Sequence, residues 1–294
     1  MFNNLVGNEK IKQDLKQILE NKNIFHTYMF IGTKGIGKSK FAKEFAKGIL
    51  CTSSERPCTG CKSCLEFDNS NNPDFNYIGL GEENSIKIEV IRQMQKKVQE
   101  KPIVSNKKVY IIDDFEFATK EAQNCLLKTI EEPPEFVTVI LITSNESRIL
   151  NTIKSRCLKI YFNNIENDVL KEYLEKQYMM NEISDNMLNS YNGSIGKALQ
   201  MHENSESYKT IEKVFNNIGN YNIITATKEL EVLYKDKDNI NEILDYINVI
   251  FLNKAKDEIK YIDYINTIEE VKKKINSNCN YDMTIDSLLF EIWK

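Results

Sequence analysis

One stretch near the start of the chain constrains the fold more than any other. Residues 28–31 are apolar, residues 32–39 follow the pattern Gly-x-x-x-x-Gly-Lys-Ser, and residues 41–50 repeat apolar side chains at helical spacing. This order predicts a strand, a tight loop and a helix, which together direct backbone N–H groups and a helix N-terminus at a phosphate. The residues predicted to bind a nucleotide are Gly32, Thr33, Lys34, Gly35, Ile36, Gly37, Lys38 and Ser39.

Two side chains of this loop carry the predicted chemistry. Lys38 would contact the β- and γ-phosphates of ATP or ADP, and the Ser39 hydroxyl would bind Mg²⁺. The alternative is a glycine-rich turn that binds no ligand. The complete pattern, set between an apolar strand and a helix, favours nucleotide binding and leaves hydrolysis as a separate question.

Two further apolar stretches end in polar side chains. Residues 109–112 are followed by Asp113 and Asp114, and residues 137–143 are followed by Ser144 and Asn145. After a phosphate loop, an acidic strand end holds Mg²⁺ through its first carboxylate, and the second position orients the attacking water. We therefore predict Asp113, Ser144 and Asn145 at the nucleotide site and Asp114 as a weaker catalytic candidate. Without the phosphate loop, a solvated acidic turn would be the better interpretation.

Four cysteines follow the predicted loop helix. They have the spacing C-x6-C-x2-C-x2-C and are Cys51, Cys58, Cys61 and Cys64. Two overlapping C-x2-C steps present thiolates to one ion, and four soft ligands favour tetrahedral Zn²⁺. No histidine or carboxylate stands out nearby to leave an open coordination position, so we predict a structural zinc. The alternative is a cluster of free thiols or a redox pair. The other cysteines are predicted to be small core residues and are Cys125, Cys157 and Cys279.

The order of apolar segments predicts the fold class. Strands alternate with helices as far as residue 163, which indicates an α/β fold with a mostly parallel sheet, helices on both faces and a ligand at the carboxyl ends of the strands. From residue 164 onward the pattern is helical throughout. The predicted strands cover residues 24–31, 75–80, 109–114, 137–143 and 158–162.

Composition limits the class of protein. The chain has 294 residues, of which 41% are hydrophobic and 28% charged, and such values are typical of a globular protein with about two domains. The formal charge of −4 argues against a chain that coats nucleic acid by itself. Because no apolar run approaches the length of a membrane span and no leader pattern opens the chain, we expect a cytoplasmic protein without a membrane partner.

Taken together, the motifs resemble the clamp-loader subunits of bacterial DNA polymerase III, which are AAA+ P-loop proteins. The resemblance covers about residues 5–205 and depends on the phosphate loop with its four-cysteine insertion, on residues 108–134, and on Ser155-Arg156-Cys157. It implies a nucleotide-binding domain at residues 1–163 with a zinc module at about 51–64, a small helical lid at 164–207 and a helical collar at 208–294. The implied partners are the gamma/tau and delta subunits in a ring, a sliding clamp, and primer–template DNA reached through the assembly.

Within this family the motor subunits differ from the present chain at two positions. They have glutamate where Asp114 stands, and they have a lid arginine where this chain has Gly196 followed by Lys197. The missing arginine would weaken ATP hydrolysis, because a cation on the transferred phosphoryl group stabilises the transition state. The shorter Asp114 side chain would weaken it too. The chain therefore resembles most the delta-prime type of subunit, with weak or no ATPase activity of its own.

In that type of subunit, the resemblance implies that Arg156 acts as a finger in the ATP site of a neighbouring subunit. The alternatives are that Arg156 packs or pairs within its own fold, that the chain is a gamma/tau-like motor with Asp114 as base, or that it is a stand-alone nucleotide switch.

Overall fold

The computed structural model describes residues 1–2, 4–80, 84–277 and 279–294. The chain forms two units, Met1–Leu170 and Lys171–Lys294. The first unit contains a five-stranded sheet with helices on both faces, and in the second unit the described residues form helices and connecting turns. The predicted α/β class with a parallel sheet is confirmed.

The sheet brings together strands that are far apart in the sequence. Its spatial order is β2-β3-β4-β1-β5, and every neighbouring pair is parallel. The strands are β1 (Thr27–Ile31), β2 (Phe75–Ile78), β3 (Lys108–Ile112), β4 (Val137–Thr143) and β5 (Leu158–Tyr161). Because all five strands run in one direction, the residues that follow them lie along one edge of the sheet, where ligands of such sheets bind.

Helices cover both faces of the sheet. The helices of this unit are α1 (Glu9–Glu20), α2 (Lys38–Leu50), α3 (Lys62–Asp68), α4 (Ile88–Val98), α5 (Lys120–Glu131) and α6 (Asn151–Lys154), and α7 (Asn167–Tyr178) continues into the second unit. Along β1, Tyr28 and Phe30 belong to the core under α1 and α2, whereas Met29 belongs to the core under α4 and α5. This alternation is that of a strand buried on both sides.

Local sequence explains where several elements begin and end. The Thr119 hydroxyl accepts a hydrogen bond from the Ala122 N–H and caps α5, and Pro133 follows shortly after its end. The predicted strand at residues 24–31 begins later, at Thr27, and Phe25 before it is exposed. Asp113 and Asp114 lie just beyond β3 rather than within it.

The second unit consists of short and medium helices. They are α8 (Asp185–Tyr191), α9 (Ile195–Glu203), α10 (Ser205–Asn216), α11 (Ile223–Glu229), α12 (Val232–Lys235), α13 (Ile240–Ala255), α14 (Tyr261–Asn276) and α15 (Tyr281–Ile292). Tyr208 and Tyr246 pack edge to face in its core at 5.2 Å. Helix α10 runs without a break across residues 207 and 208, where we place the boundary between lid and collar.

The prediction that Cys279 is a core residue is wrong. Cys279 is exposed, because it lies among asparagines between α14 and α15 rather than on an apolar helix face. Cys125 and Cys157 are partly buried and pack against the core of the first unit.

Candidate nucleotide and metal sites

The phosphate loop joins β1 to α2 and requires glycine at both of its ends. A Cβ on Gly32 would lie 2.8 Å from the carbonyl oxygen of Phe162, closer than side chains approach backbone. Gly37 has a φ of 97° immediately before α2, a conformation that is costly for other residues. The loop therefore has the tight backbone that a phosphate site needs, and α2 directs its N-terminus at the same place.

Lys38 lies inside the loop. Its side chain is buried, and its Nζ donates to the carbonyl oxygens of Gly32 at 2.6 Å and Thr33 at 2.8 Å. Burial lowers the pKa of the Lys38 ammonium, and three nearby carboxylates oppose this shift. Listed by decreasing effect, these carboxylates belong to Glu116, Asp113 and Asp114. The ammonium thus lies between the loop and an acidic cluster.

The two predicted carboxylates differ in their surroundings. Asp113 accepts hydrogen bonds from the Asp114 N–H at 2.9 Å and from the Tyr77 hydroxyl at 2.6 Å. Asp114 has a φ of 52°, a left-handed conformation that aspartate tolerates better than most residues. Burial raises the pKa of Asp114, and the charges of Asp113 and Glu116 raise it further. Asp114 is therefore held closer to its neutral form than an exposed aspartate.

Tyr77, at the end of β2, connects two predicted magnesium ligands. Its hydroxyl lies 3.4 Å from the Ser39 Oγ and donates to Asp113. Burial and the hydrogen bond to Asp113 raise the pKa of Tyr77 to about 12, so the phenol is protonated at neutral pH. Sequence reasoning missed this residue, because an aromatic side chain in a short strand indicates only a partly buried sheet position.

Glu116 is a second residue that sequence reasoning missed. Only 5% of its surface is exposed, and its Oε1 accepts hydrogen bonds from both the N–H and the hydroxyl of Ser144. Burial disfavours the carboxylate, but hydrogen bonds from Ser144, from the backbone and from Thr143 together outweigh burial and lower the pKa of Glu116. The other oxygen, Oε2, is buried without a partner among the described residues. The sequence feature that could have pointed to Glu116 is its charge, three positions after Asp113.

Asn145 has a local role in the structure. Its Oδ1 accepts hydrogen bonds from the N–H and the hydroxyl of Ser147, which caps the short turn Glu146–Arg148. Ser144 and Asn145 both follow β4, as predicted from the sequence. Of the two, Ser144 is the one joined to the acidic cluster.

A cavity of about 680 Å³ lies beside the loop, within the first unit. Its walls come from α1 and the segment before it, and from β5 and the residues that follow it, including Gly7, Asn8 and Asn164. The Thr33 hydroxyl donates to Asn164 Oδ1 at 2.7 Å and so connects the phosphate loop to the cavity wall. The cavity therefore has room for another part of a ligand whose phosphates lie on the loop.

The oxygen donors at the loop fit magnesium. Mg²⁺ prefers oxygen ligands and is usually held by one or two carboxylates, substrate phosphates and water. Ser39 and Asp113 supply a hydroxyl and a carboxylate that are joined through one phenol oxygen, and Asp114 lies next in the chain. These residues offer the donor types that Mg²⁺ takes, with the Tyr77 hydroxyl lying between two of them.

The four predicted zinc ligands come together. Their Sγ atoms all lie within 4.8 Å of one another, and those of Cys51 and Cys61 are 3.9 Å apart. A tetrahedral site with Zn–S bonds of about 2.3 Å has sulfur–sulfur distances of about 3.8 Å, so the spacing fits Zn²⁺. The N–H groups of Cys58, Cys61 and Cys64 each donate to the sulfur of the preceding ligand.

Hydrogen bonds and burial shift the pKa values of these thiols in opposite directions. Burial opposes the Cys61 thiolate, but N–H groups of Thr52 and Cys64 outweigh burial and lower the pKa of Cys61 to about 6. Burial raises the pKa of Cys51 and of Cys64. The module joins the end of α2, at Cys51, to the start of α3, at Cys61.

Arg156 follows α6 and is partly exposed. Its guanidinium lies 2.9 Å from a carboxylate oxygen of Glu131, and it donates to the carbonyl oxygen of Thr152 at 2.9 Å. Glu131 is the last residue of α5. Arg156 thus forms an ion pair within the chain. Such a pair is what we expect if Arg156 pairs within its own fold and does not act as a finger. Lys197 lies in α9 of the second unit, where its N–H is capped by Ser194.

Sequence comparison places the chain among DNA polymerase III subunits. A family model described as "DNA polymerase III, delta subunit" matches residues 7–166. The chain is 35% identical to the DNA polymerase III subunit tau/gamma of Haemophilus influenzae, over 59% of this chain and 25% of that protein. It is 26% identical to the delta' subunit of Bacillus subtilis, over 95% of this chain and 94% of that protein. The chain spans about a quarter of the length of the tau/gamma relative.

Among solved structures, a DNA polymerase III gamma subunit-related protein of Thermotoga maritima has a TM-score of 0.50. The two proteins share 20% identity over 96% of this chain and 98% of the other, which shows a common fold. No helix of the described residues is both long enough and apolar enough to cross a membrane. The match over residues 7–166 covers more than half of the chain and confirms the resemblance stated from its motifs: the chain belongs to the DNA polymerase III delta-subunit family.

Proposed function

We propose that this chain is a clamp-loader subunit of delta-prime type, which binds ATP or ADP and supplies Arg156 to the ATP site of a neighbouring subunit. One observation carries the proposal: the buried Lys38 lies between a strand–loop–helix phosphate site and a cluster of carboxylates, in a chain of the DNA polymerase III family. Its partners would be gamma/tau and delta subunits, a sliding clamp, and primer–template DNA through the assembly.

The nucleotide would lie across the loop. Its phosphates would contact the loop N–H groups and Lys38, and its base would enter the cavity beside Asn8 and Asn164. Ser39 and Asp113 would hold Mg²⁺ against these phosphates only if the Tyr77 hydroxyl left the position between them. The hydrogen bond from Thr33 to Asn164 supports this placement, because it ties the phosphate loop to the cavity wall.

Weak hydrolysis is the second part of the proposal. Asp114 is one methylene shorter than the glutamate of motor subunits, and burial with neighbouring charge holds its pKa above the ordinary range. The shorter side chain reaches less far towards an attacking water and so makes Asp114 a poorer general base, whereas the raised pKa alone acts in the opposite direction. Gly196 stands where a motor subunit has its lid arginine, and Lys197 follows it. The residues at 164–207 and 208–294 would form the lid and the collar of the subunit.

The four cysteines would hold a structural Zn²⁺. Four thiolates would fill a tetrahedral site, which leaves no position for a reacting water. The ion would fix the end of α2 against α3 and so stabilise the helix that begins at the phosphate loop.

A gamma/tau-like motor is the second candidate. Its support is the 35% identity to a tau/gamma subunit, higher than the 26% identity to a delta' subunit. The delta-prime type is favoured because that match extends over 94% of the relative, and because Asp114 and Gly196 stand where motor subunits have glutamate and arginine.

Co-assembly and hydrolysis together test the proposal. Purified chain is mixed with gamma/tau, delta and a sliding clamp, and complexes are separated by gel filtration. We expect a stable complex, and we expect the isolated chain to hydrolyse ATP no faster than its Lys38→Ala variant. Hydrolysis that depends on Lys38 would favour the motor. A chain that joins no complex would overturn clamp-loader membership.

A further inference from the structure

The hydroxyl of Tyr77 lies between the two residues suited to hold magnesium. It is 2.6 Å from Asp113 Oδ2 and 3.4 Å from Ser39 Oγ. An ion that bound both oxygens would have to lie between them, and Mg–O distances of about 2.0–2.1 Å leave no room for a phenol oxygen there as well. Mg²⁺ and the Tyr77 hydroxyl therefore compete for the same partners.

Contacts on both sides keep the ring in this position. The Lys43 ammonium lies 4.6 Å from the ring centroid, within the range of a cation–π interaction. A Cβ on Gly79 would lie 3.3 Å from the Tyr77 Cε1, so glycine lets the ring pack against the chain there. Tyr77 as a whole is 44% exposed, so these contacts, rather than burial in the core, hold the ring in place.

We propose that Tyr77 closes the magnesium position of this chain and makes its nucleotide binding nearly independent of Mg²⁺. This inference rests on the proposed nucleotide binding. The loop N–H groups and Lys38 would hold the phosphates in either case, because neither depends on the ion. Without Mg²⁺ between Ser39 and Asp113, the charge that develops on the transferred phosphoryl group is not neutralised. Tyr77 thereby lets the chain bind nucleotide while it disfavours hydrolysis of that nucleotide.

The test compares ADP affinity in excess Mg²⁺ and in EDTA by calorimetry. For the unmodified chain we expect two similar affinities. Tyr77→Phe keeps the ring and removes the hydroxyl, so Mg²⁺ should tighten ADP binding by about tenfold more than in the unmodified chain, which corresponds to about 1.4 kcal/mol. Adding Asp113→Asn to Tyr77→Phe should abolish that gain. Tyr110→Phe is the matched control, since its buried hydroxyl has no partner among the described residues.

A second measurement needs no variant. Mn²⁺ replaces Mg²⁺, and electron paramagnetic resonance measures its binding to the complex of protein and ADP. We expect the complex to bind Mn²⁺ no more tightly than free ADP does. Tighter Mn²⁺ binding by the unmodified complex would overturn the inference, as would an equal Mg²⁺ effect in Tyr77→Phe and the unmodified chain. Those results would leave nucleotide binding intact. A chain that binds no ADP in either buffer would overturn the proposed function together with this inference.

Discussion

At the scale of single residues, Lys38 is the side chain on which the proposed nucleotide binding depends most. It is buried, and its ammonium is already held at the loop by two carbonyl oxygens. Such an arrangement presents the charge to a phosphate without a large loss of side-chain entropy on binding.

Lys38→Ala should weaken the binding of both ATP and ADP. A hydrogen bond to a charged group contributes about 1.5–3 kcal/mol, so we expect a loss of roughly ten- to a hundredfold in affinity. Calorimetry or a fluorescent nucleotide analogue measures it. Lys40→Ala, which removes an exposed lysine of the same helix, is the matched control. Equal affinity in the Lys38 variant and the unmodified chain would contradict this role.

Glu116 gives a prediction for the pH dependence of stability. Its pKa is lower in the folded chain than the ordinary value of 4.5, so the folded state favours the carboxylate. The resulting stabilisation is present above pH 4.5 and is lost as the pH falls through the lower, folded-state pKa. Glu116→Gln should reduce the free energy of unfolding by about 1–3 kcal/mol at pH 7. Urea unfolding should show that the deficit shrinks below pH 4.5, and a deficit independent of pH would be inconsistent with an ionised Glu116.

At the scale of elements, the sequence predicted the strands better than the site. Strands β1, β3 and β4 are buried along their whole length and consist mostly of apolar residues, so each is visible in the sequence. The contact between Tyr77 and Asp113 could not be predicted. It depends on the register of two paired strands, with Tyr77 opposite Ile111, and no local pattern encodes that register.

Glu116 could not be assigned for a related reason. It lies in a short turn after β3, and only the packing of β4 against that turn brings Ser144 to its carboxylate. The four cysteines were predictable as a group, because their spacing is local and the ligands lie on adjacent turns.

The cysteine module can be tested by metal content and stability together. We expect one zinc per chain by elemental analysis of protein purified without chelator. Cys61→Ser should lose the ion and lower the melting temperature, because it removes a ligand that fixes α2 to α3, while ADP binding is retained. Cys279→Ser, which changes an exposed cysteine outside the cluster, should keep both properties. A zinc content near zero with four titratable thiols would contradict the module.

At the scale of the whole molecule, Arg156 has the central proposed role, that of a finger in a ring of subunits. Its ion pair with Glu131 is partly exposed on both sides, and such pairs contribute about 0–1 kcal/mol. An arginine supplied across a subunit boundary contributes about 10³–10⁵ in rate to phosphoryl transfer. The pair is therefore weak enough to be exchanged for a nucleotide phosphate in a neighbouring subunit.

The most direct measurement is the DNA- and clamp-stimulated ATPase rate of the assembled ring. The ring contains this chain with either Arg156→Ala or Glu131→Gln, and the melting temperature of each variant is recorded as well. We predict a partial loss of ring ATPase with Arg156→Ala, because one of several ATP sites loses its finger, and unchanged affinity of this chain for ADP. Glu131→Gln breaks the same ion pair but leaves the arginine, so the rate should be maintained. Full ring activity from a stably folded Arg156→Ala chain would contradict the account.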